Sequence, residues 1–240
     1  MKKITQYEGL YGQRGVGHAR DYLFSELLET RSEFFDWKIK PHVHPDLYQI
    51  FFILKGNFEF FGSAASGLYK APCLVFVPPG ALHGFSYQAG TSGRIITWSE
   101  TLMATLFPDG SPVLTQLSSV QVSTDSSFPF TSGKIAEQLL LLHEELFSDL
   151  AEKGEMLKVI LKQVIISIYR LCFATIGNEI KAASASYRYY RKYQELVRKA
   201  DAKYTVKNMA KQIGITPVHL NRICNEITGK PAGRILEESL

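Results

Sequence analysis

The feature that most constrains this fold is a series of short β-rich runs between about residues 20 and 100, each ended by glycine or proline. They recur roughly every 8 to 12 residues, a spacing typical of all-β folds. Runs of this length are too short for most helices, and tight turns between them favour antiparallel pairing. The sequence therefore predicts an antiparallel sandwich or barrel built from EFFDWKIK, LYQIFFILKG, NFEFFGS, PCLVFVPPG, HGFSYQAG and GRIITWSE.

After a polar stretch at about 108–132, the apolar period changes to that of helices. In SGKIAEQLLLLHEELFSDL the apolar residues recur at steps of three and four, and EMLKVILKQVIISIYRLCFATIG is apolar over more of its circumference. The short connection at 152–154 predicts an antiparallel helical hairpin over 133–177. Its run of four leucines exposes more apolar surface than one packed face needs. The hairpin either covers the barrel of a monomer or pairs two subunits through residues 133–176.

Charge separates the last quarter of the chain from the rest. Residues 1–177 contain 15 Lys/Arg against 17 Asp/Glu, whereas residues 178–240 contain 12 against 6. A basic segment is typical of polyanion binding, although a solvated helical surface can also be basic. The small, polar residues at 178–188 predict a linker before a helical region at 189–240.

The motif NMAKQIGITPVHLNRICNEITG has the pattern of a helix, a tight turn and a second helix. Gly214 suits the turn, and Thr216 followed by Pro217 suits the start of the second helix. The spacing of the apolar residues predicts a core face containing Met209, Ala210, Ile213, Leu220, Ile223 and Ile227.

The second helix leaves a polar face outward, which suits reading of the DNA major groove; short helical hairpins with a glycine turn also occur in structural bundles. The candidate DNA-binding residues on this face are Val218, His219, Asn221, Arg222 and Asn225.

Residues 206–229, and HLNRICNEITGKP in particular, resemble the first helix-turn-helix of the AraC-type transcription regulators. The resemblance implies that Val218, Asn221 and Arg222 contact bases and that His219 contacts phosphate or packs at the surface. The family has two such modules, and PAGRILEESL resembles the start of the helix that joins them. We therefore expect a chain shortened after the first module, the alternative being a protein that reads only one groove segment, and in either case weak operator binding.

The amino-terminal half carries a second motif. His42, His44, Gln49 and Gly56, followed by PPGALH ending at His83, resemble the two motifs of the cupins, with Gln49 where the first motif has glutamate. In metal-binding cupins these positions carry the ligands, which implies His42, His44, Gln49 and His83 here.

Three imidazoles and an amide suit Zn²⁺, Ni²⁺, Cu²⁺ or Fe²⁺, but the missing carboxylate weakens the case for a bound metal and for metal catalysis. The alternatives are that these side chains bind a small effector or only cap the barrel mouth.

Aromatic residues around the histidines form either an apolar core or a ligand cage. Several of the β-runs resemble the sensor domains of AraC-type activators that control hydroxybenzoate and hydroxyphenylacetate breakdown, which implies an aromatic acid as effector. The predicted effector-binding set adds Trp37, Tyr48 and Arg94 to His42, His44, Gln49 and His83.

The sequence thus predicts an α+β multidomain protein with a cupin barrel at 1–132, a helical hairpin at 133–177, a linker at 178–188 and a helix-turn-helix region at 189–240. The expected function is an effector-responsive transcription regulator, more specifically an activator, with promoter DNA as partner, no required cofactor and no catalytic residues. No apolar run spans a bilayer, and we expect a cytoplasmic homodimer. The alternatives are a metal-dependent cupin dioxygenase or isomerase, and an interaction module that does not bind DNA.

Overall fold

The computed structural model describes residues 5–6, 22–62, 65–108, 111–124, 129–174, 180–198, 204–228 and 230–237. The chain divides into two compact units, Met1–Ile176 and Gly177–Leu240.

Unit 1 contains ten strands among its described residues, arranged in two five-stranded sheets with the orders β1-β3-β8-β5-β6 and β10-β7-β4-β9-β2. All pairings are antiparallel except the short β1–β3 pairing. The strands are β1 Thr5–Gln6, β2 Leu23–Leu27, β3 Lys38–Val43, β4 Leu47–Lys55, β5 Asn57–Gly62, β6 Gly67–Lys70, β7 Cys73–Val77, β8 His83–Tyr87, β9 Ser92–Ser99 and β10 Gln121–Ser123.

Unit 1 has five helices among its described residues, and the last four share a core with the second sheet. The five are α1 Leu28–Phe34, α2 Glu100–Leu106, α3 Pro112–Gln116, α4 Pro129–Leu146 and α5 Lys153–Ala174. The predicted antiparallel β-fold and the helical hairpin are confirmed. The short helices α1, α2 and α3 were not predicted, because helices of five to seven residues leave too little periodicity to detect.

Strand β4 shows how the core is built. Its first seven residues are all buried, because both faces of the strand are covered. Tyr48, Ile50 and Phe52 face a core shared with α2 to α5. The alternate residues face the space between the two sheets, where the Phe51 ring lies 4.3 Å from the Phe85 ring of the opposite sheet. We call this space the barrel interior.

Unit 2 contains four helices among its described residues: α6 Ile180–Arg198, α7 Val206–Ile213, α8 Pro217–Thr228 and α9 Ala232–Glu237. The predicted linker at 178–188 is corrected in part, because α6 already begins at Ile180. Alanine and serine at these positions weaken the apolar pattern without preventing a helix. The other domain boundaries stay a prediction.

The predicted helix-turn-helix is confirmed at α7 and α8. Gly214 has φ of 84° and ends α7, and its N–H donates to the Ala210 carbonyl at 3.0 Å. The Thr216 hydroxyl accepts from the His219 N–H at 3.1 Å and so caps α8. The six predicted core residues Met209, Ala210, Ile213, Leu220, Ile223 and Ile227 are all buried.

Candidate functional site

The three predicted histidines meet in the barrel interior. His42 on β3 lies opposite His83 on β8 in the antiparallel register, and His44 directly follows β3. Their side chains are buried, and the nitrogen atoms available as ligands lie within 4.8 Å of one another. We call these residues the histidine cluster.

A close backbone approach positions His42. The register of β3 shifts between Ile39 and His42, and Gly84 of β8 lies against this irregular stretch. A Cβ atom at Gly84 would lie 2.7 Å from the Pro41 nitrogen and 2.9 Å from the Ile39 carbonyl oxygen. Glycine therefore allows β8 to approach the bulge, which turns His42 toward His83.

Backbone carbonyls determine which nitrogen of two imidazoles carries the proton. The Nδ1 atom of His42 lies 2.8 Å from the Lys40 oxygen, and that of His83 lies 2.9 Å from the Ala81 oxygen. Because a carbonyl only accepts, each Nδ1 is the donor and each Nε2 presents a lone pair. The Nε2 atoms of His42 and His44 are 3.1 Å apart, so His44 donates to His42.

Burial keeps the His42 and His83 imidazoles neutral near pH 7. It lowers the pKa of His83 to about 4. Burial, followed by repulsion from His83 and His44, also lowers the pKa of His42 well below its usual value. Neutral imidazole is the form that binds a metal ion or accepts a hydrogen bond.

Gln49 faces the same barrel interior from the other sheet. It shares the interior face of β4 with Phe51, whose ring lies 6.1 Å from the His83 ring. The Gln49 amide nitrogen donates to Thr97 Oγ1 at 3.2 Å. Among the described residues, the Gln49 amide oxygen and His83 Nε2 are buried without a hydrogen-bond partner. Both are acceptors, so a donor or a cation would satisfy them.

The cluster fits a divalent metal ion. His42 and His83 use the Nδ1–H to carbonyl bond that commonly orients metal-binding histidines, which directs Nε2 inward. His44 would supply a third nitrogen and Gln49 an amide oxygen. The four groups carry no formal charge, which lowers affinity relative to a site with a carboxylate.

The structure does not bring the other three predicted effector-binding residues to the cluster. Tyr48 lies on the helix-covered face of β4, where its ring stacks on Trp98 at 5.5 Å. Arg94 Nη1 donates to Ser25 Oγ at 3.0 Å, and its position on β9 also faces the helices. Trp37 lies in the turn before β3, beside the end of β8 distant from His83.

Sequence reasoning missed three polar side chains of the barrel interior, Glu26, Arg31 and Tyr87. Arg31 Nη1 lies 2.8 Å from Glu26 Oε1, and the two side chains are only 4% and 9% exposed. Tyr87 was predictable: residues two apart on a strand share a face, so His83, Phe85 and Tyr87 all lie on the interior face of β8. Nothing in the local sequence marks Arg31 as buried, because arginine on a short helix is usually exposed.

In unit 2, α8 presents part of the predicted DNA-binding set to solvent. Val218 is 80% exposed, and Arg222 and Asn225 are also exposed, at steps of four and three residues along one face. We call these three residues the α8 face. Arg222 forms an ion pair with Glu226 at 2.9 Å.

The other two predicted residues have structural contacts. Asn221 Oδ1 accepts from the Ala232 N–H at 2.9 Å and so connects α8 to the start of α9. The half-buried His219 packs its ring 6.0 Å from the Tyr189 ring of α6.

The helical hairpin of unit 1 has exposed apolar side chains on both helices and in their connection. We call this set the hairpin patch: Leu140, Leu141, Phe147, Leu150, Met156 and Val159, each between 48% and 67% exposed.

Solved structures with detectable similarity include regulators and a cupin. An apo variant of ToxT from Vibrio cholerae aligns at 10% identity over 92% of this chain and 98% of that chain, with a TM-score of 0.39. The AraC-like transcriptional activator CuxR aligns at 13% identity over 80% and 65%, with a TM-score of 0.42. An RmlC-like cupin from Shewanella frigidimarina aligns at 26% identity over 26% and 55%, with a TM-score of 0.22.

No protein-family model matches the sequence, and no curated protein matches it. At these TM-scores, the structural similarities do not establish a shared function. Within the described part of the chain, none of the helices has the length and apolar character needed to cross a membrane.

Proposed function

We propose that this protein is a DNA-binding transcription regulator, more specifically an activator, that responds to a small molecule bound in the barrel interior and acts in the cytoplasm. The observation that carries the proposal is the capped helix-turn-helix of unit 2, which buries its apolar residues and leaves Val218, Arg222 and Asn225 outward. This is the arrangement that a major-groove reader requires.

On DNA, Arg222 would bind a guanine edge or a phosphate, Asn225 a base edge, and Val218 a thymine methyl group. Asn221 would mainly hold α8 against α9, since its side-chain oxygen already accepts from Ala232. The basic composition of residues 178–240 would add affinity that is independent of DNA sequence.

The DNA proposal is tested with a duplex selected by the wild-type protein from a random library. We expect binding that weakens as salt rises, and an affinity loss of about tenfold or more in Arg222→Ala. Lys70→Ala removes an exposed charge from unit 1 and serves as the matched control, for which we expect no change. If no duplex shows salt-dependent binding, the regulator proposal is wrong.

The effector would act by binding two states of the protein with different affinity, since only such a difference shifts a conformational equilibrium. The barrel interior is the candidate site because it holds buried polar atoms without partners among the described residues, beside aromatic walls. An aromatic acid, bound with no required cofactor, is the proposed effector class.

We further propose a homodimer through the hairpin patch. Single exposed apolar residues are common, but six of them on one hairpin are typical of an interface. We expect Val159→Glu to convert dimers to monomers in analytical ultracentrifugation. The control is Leu68→Glu, which alters an 84% exposed leucine on β6 and should leave the dimer intact. A wild-type protein that stays monomeric at tens of micromolar would refute this part.

A metal-dependent cupin enzyme is the second candidate, favoured by the histidine cluster. It predicts one tightly bound Zn²⁺, Ni²⁺, Cu²⁺ or Fe²⁺ per chain, lost together with turnover in His44→Ala. Elemental analysis of the purified protein separates the two candidates when it is combined with the DNA assay. A bound redox metal without any DNA binding would favour the enzyme.

A further inference from the structure

Helix α6 of unit 2 carries a mixture of basic and aromatic residues. The segment YRYYRKY at 187–193 contains four tyrosines, two arginines and a lysine. Basic side chains on one face of a helix are typical of nucleic-acid binding, whereas aromatic residues at helical spacing are typical of a packed core. Burial separates the residues that serve these two purposes.

Two of the tyrosines belong to the core of unit 2. Tyr190 and Tyr193 are 3% and 0% exposed, and the Tyr193 hydroxyl donates to the Ala232 carbonyl at 2.6 Å. This hydrogen bond connects α6 to the start of α9. Neither side chain is accessible to a partner, so the role of both is structural.

The basic residues of the segment face outward. Arg188 and Lys192 are exposed and are about one turn apart on α6, so they share a face. Tyr189 is half-buried beside this face, and the Arg188 Cζ atom lies 5.7 Å from the centre of the Tyr189 ring. A guanidinium placed over an aromatic ring keeps N–H groups available for an anion. Among the described residues, no carboxylate forms an ion pair with Arg188 or Lys192.

Tyr189 connects this surface to α8. Its ring lies 6.0 Å from the His219 ring, at an angle of 66°. His219 follows Val218 of the α8 face and is about one turn before Ile223, which is fully buried. His219 therefore lies at the border between the α8 face and the core side of α8. We call Arg188, Tyr189 and His219 the border cluster.

The border cluster lies beside the helix that would enter the major groove. Phosphates line both sides of that groove, so residues at the flank of the inserted helix meet the backbone of the DNA. Each member of the cluster offers a donor: a guanidinium, a phenol hydroxyl and an imidazole N–H. Glu226 lies about two turns beyond His219 on α8 and pairs with Arg222 at 2.9 Å, so it does not compete for these donors.

We propose that the border cluster binds a phosphate group of the DNA strand beside the α8 face. This inference rests on the proposed DNA-binding function and adds residues of α6 to the interface. Arg188 supplies the charge, while Tyr189 and His219 supply hydrogen bonds from two helices and so fix the orientation of α8 in the groove. A phosphate contact is the same for every base sequence, and this property distinguishes the border cluster from the α8 face.

Arg188→Ala tests the charge. Fluorescence anisotropy measures the affinity of the full chain for the selected duplex and for a duplex of unrelated sequence, over a range of salt concentrations. We expect both affinities to fall by the same factor, about fivefold or more, and the slope of log affinity against log salt to decrease in magnitude by about 1. Arg170→Ala removes an equal charge from an exposed position on α5 of unit 1, and it should bind both duplexes like wild type.

Tyr189→Phe tests the hydroxyl, because it keeps the ring against Arg188 and His219. The variant should melt at the same temperature as wild type, since these ring contacts remain. Its affinity for both duplexes should fall about fivefold, because a hydrogen bond to a charged phosphate is lost. Tyr69→Phe is the matched control: Tyr69 is a half-buried tyrosine of unit 1 that stacks on Phe58 at 5.7 Å, and its loss of a hydroxyl should not change DNA binding.

Wild-type affinity in both Arg188→Ala and Tyr189→Phe would overturn the inference. A loss confined to the selected duplex would also overturn it, because such a loss means a base contact. In either case, weaker binding by Arg222→Ala would still support the regulator. A full chain that binds neither duplex would refute the regulator and this inference together.

Discussion

Two arginine–glutamate pairs in this protein have nearly the same geometry but different surroundings. Arg31–Glu26 spans 2.8 Å with side chains 4% and 9% exposed, and Arg222–Glu226 spans 2.9 Å with side chains 61% and 49% exposed. In the barrel interior, each charge depends on its partner, because water cannot replace it. On α8, water can replace either partner, so Arg222 is able to leave Glu226 for another ligand at little cost.

The largest effect that this comparison predicts is the loss of Arg31. Arg31→Met should destabilise the protein by about 3–5 kcal/mol, because it leaves the Glu26 carboxylate buried without its partner. Urea unfolding at pH 7 measures the change. The double variant Glu26→Gln with Arg31→Met should regain most of the loss, and a single variant as stable as wild type would contradict the buried pair.

Lowering the pH should reduce the free energy of unfolding through the buried histidines, and the exposed ion pair on α8 should contribute little to this change. His83 has a pKa of about 4 in the folded protein against the usual 6.5, so the unfolded chain binds a proton first as pH falls. The stability due to neutral His83 is therefore complete above pH 6.5 and is lost between about pH 6.5 and pH 4. We expect a loss of about 2–3 kcal/mol by pH 4.5, measured by urea unfolding. His83→Gln should make the free energy of unfolding less dependent on pH. An equal slope of this energy against pH in the variant and in the wild type would show that His83 does not cause the dependence.

Two glycines, one in the packed barrel and one on an open helix surface, allow the same comparison to be made for the backbone. Gly84→Ala should cost about 1–3 kcal/mol, because the new methyl group would meet the β3 backbone beside His42. Gly133→Ala on α4 is the control: nothing lies within 4 Å of its Cβ position, and alanine favours helix by up to about 1 kcal/mol. Thermal melting should shift in opposite directions for the two variants.

The smallest effect on stability is expected at Glu226. Glu226→Gln removes the exposed ion pair and should change stability by about 0.5 kcal/mol or less. The same change removes a negative charge near the α8 face and releases Arg222, so affinity for DNA should rise severalfold. Fluorescence anisotropy with the selected duplex measures this, and weaker binding would mean that Glu226 itself contributes to recognition.

Much of the architecture could be predicted from local patterns. Five of the six β-runs coincide with strands, whereas EFFDWKIK begins at the end of α1 and only its last three residues belong to β3. The α7–α8 core residues are buried as their spacing predicts. The histidine cluster was also predictable, since His42, His44 and His83 meet as the cupin-like motifs imply. Strand alternation and helical period are properties of neighbouring residues, so the sequence is sufficient to reveal them.

The remaining site residues depend on contacts between distant segments. Tyr48 was expected beside the histidines, but it is adjacent to Gln49 on a strand, and neighbouring residues face opposite sides. Alternation alone therefore separates Tyr48 from Gln49, whereas which of the two faces of β4 lines the interior depends on where the helices pack.

By itself, the sequence determined five of the six β-runs, the helical hairpin, the turn at Gly214 and the histidines that share one face of the sheet. Only the tertiary structure decided that Arg31 and Glu26 lie inside the barrel and that Arg94 and Tyr48 lie outside it. The physical reason is that burial is a property of the packed chain: a charged side chain enters the interior when a partner brought by another element offsets its desolvation.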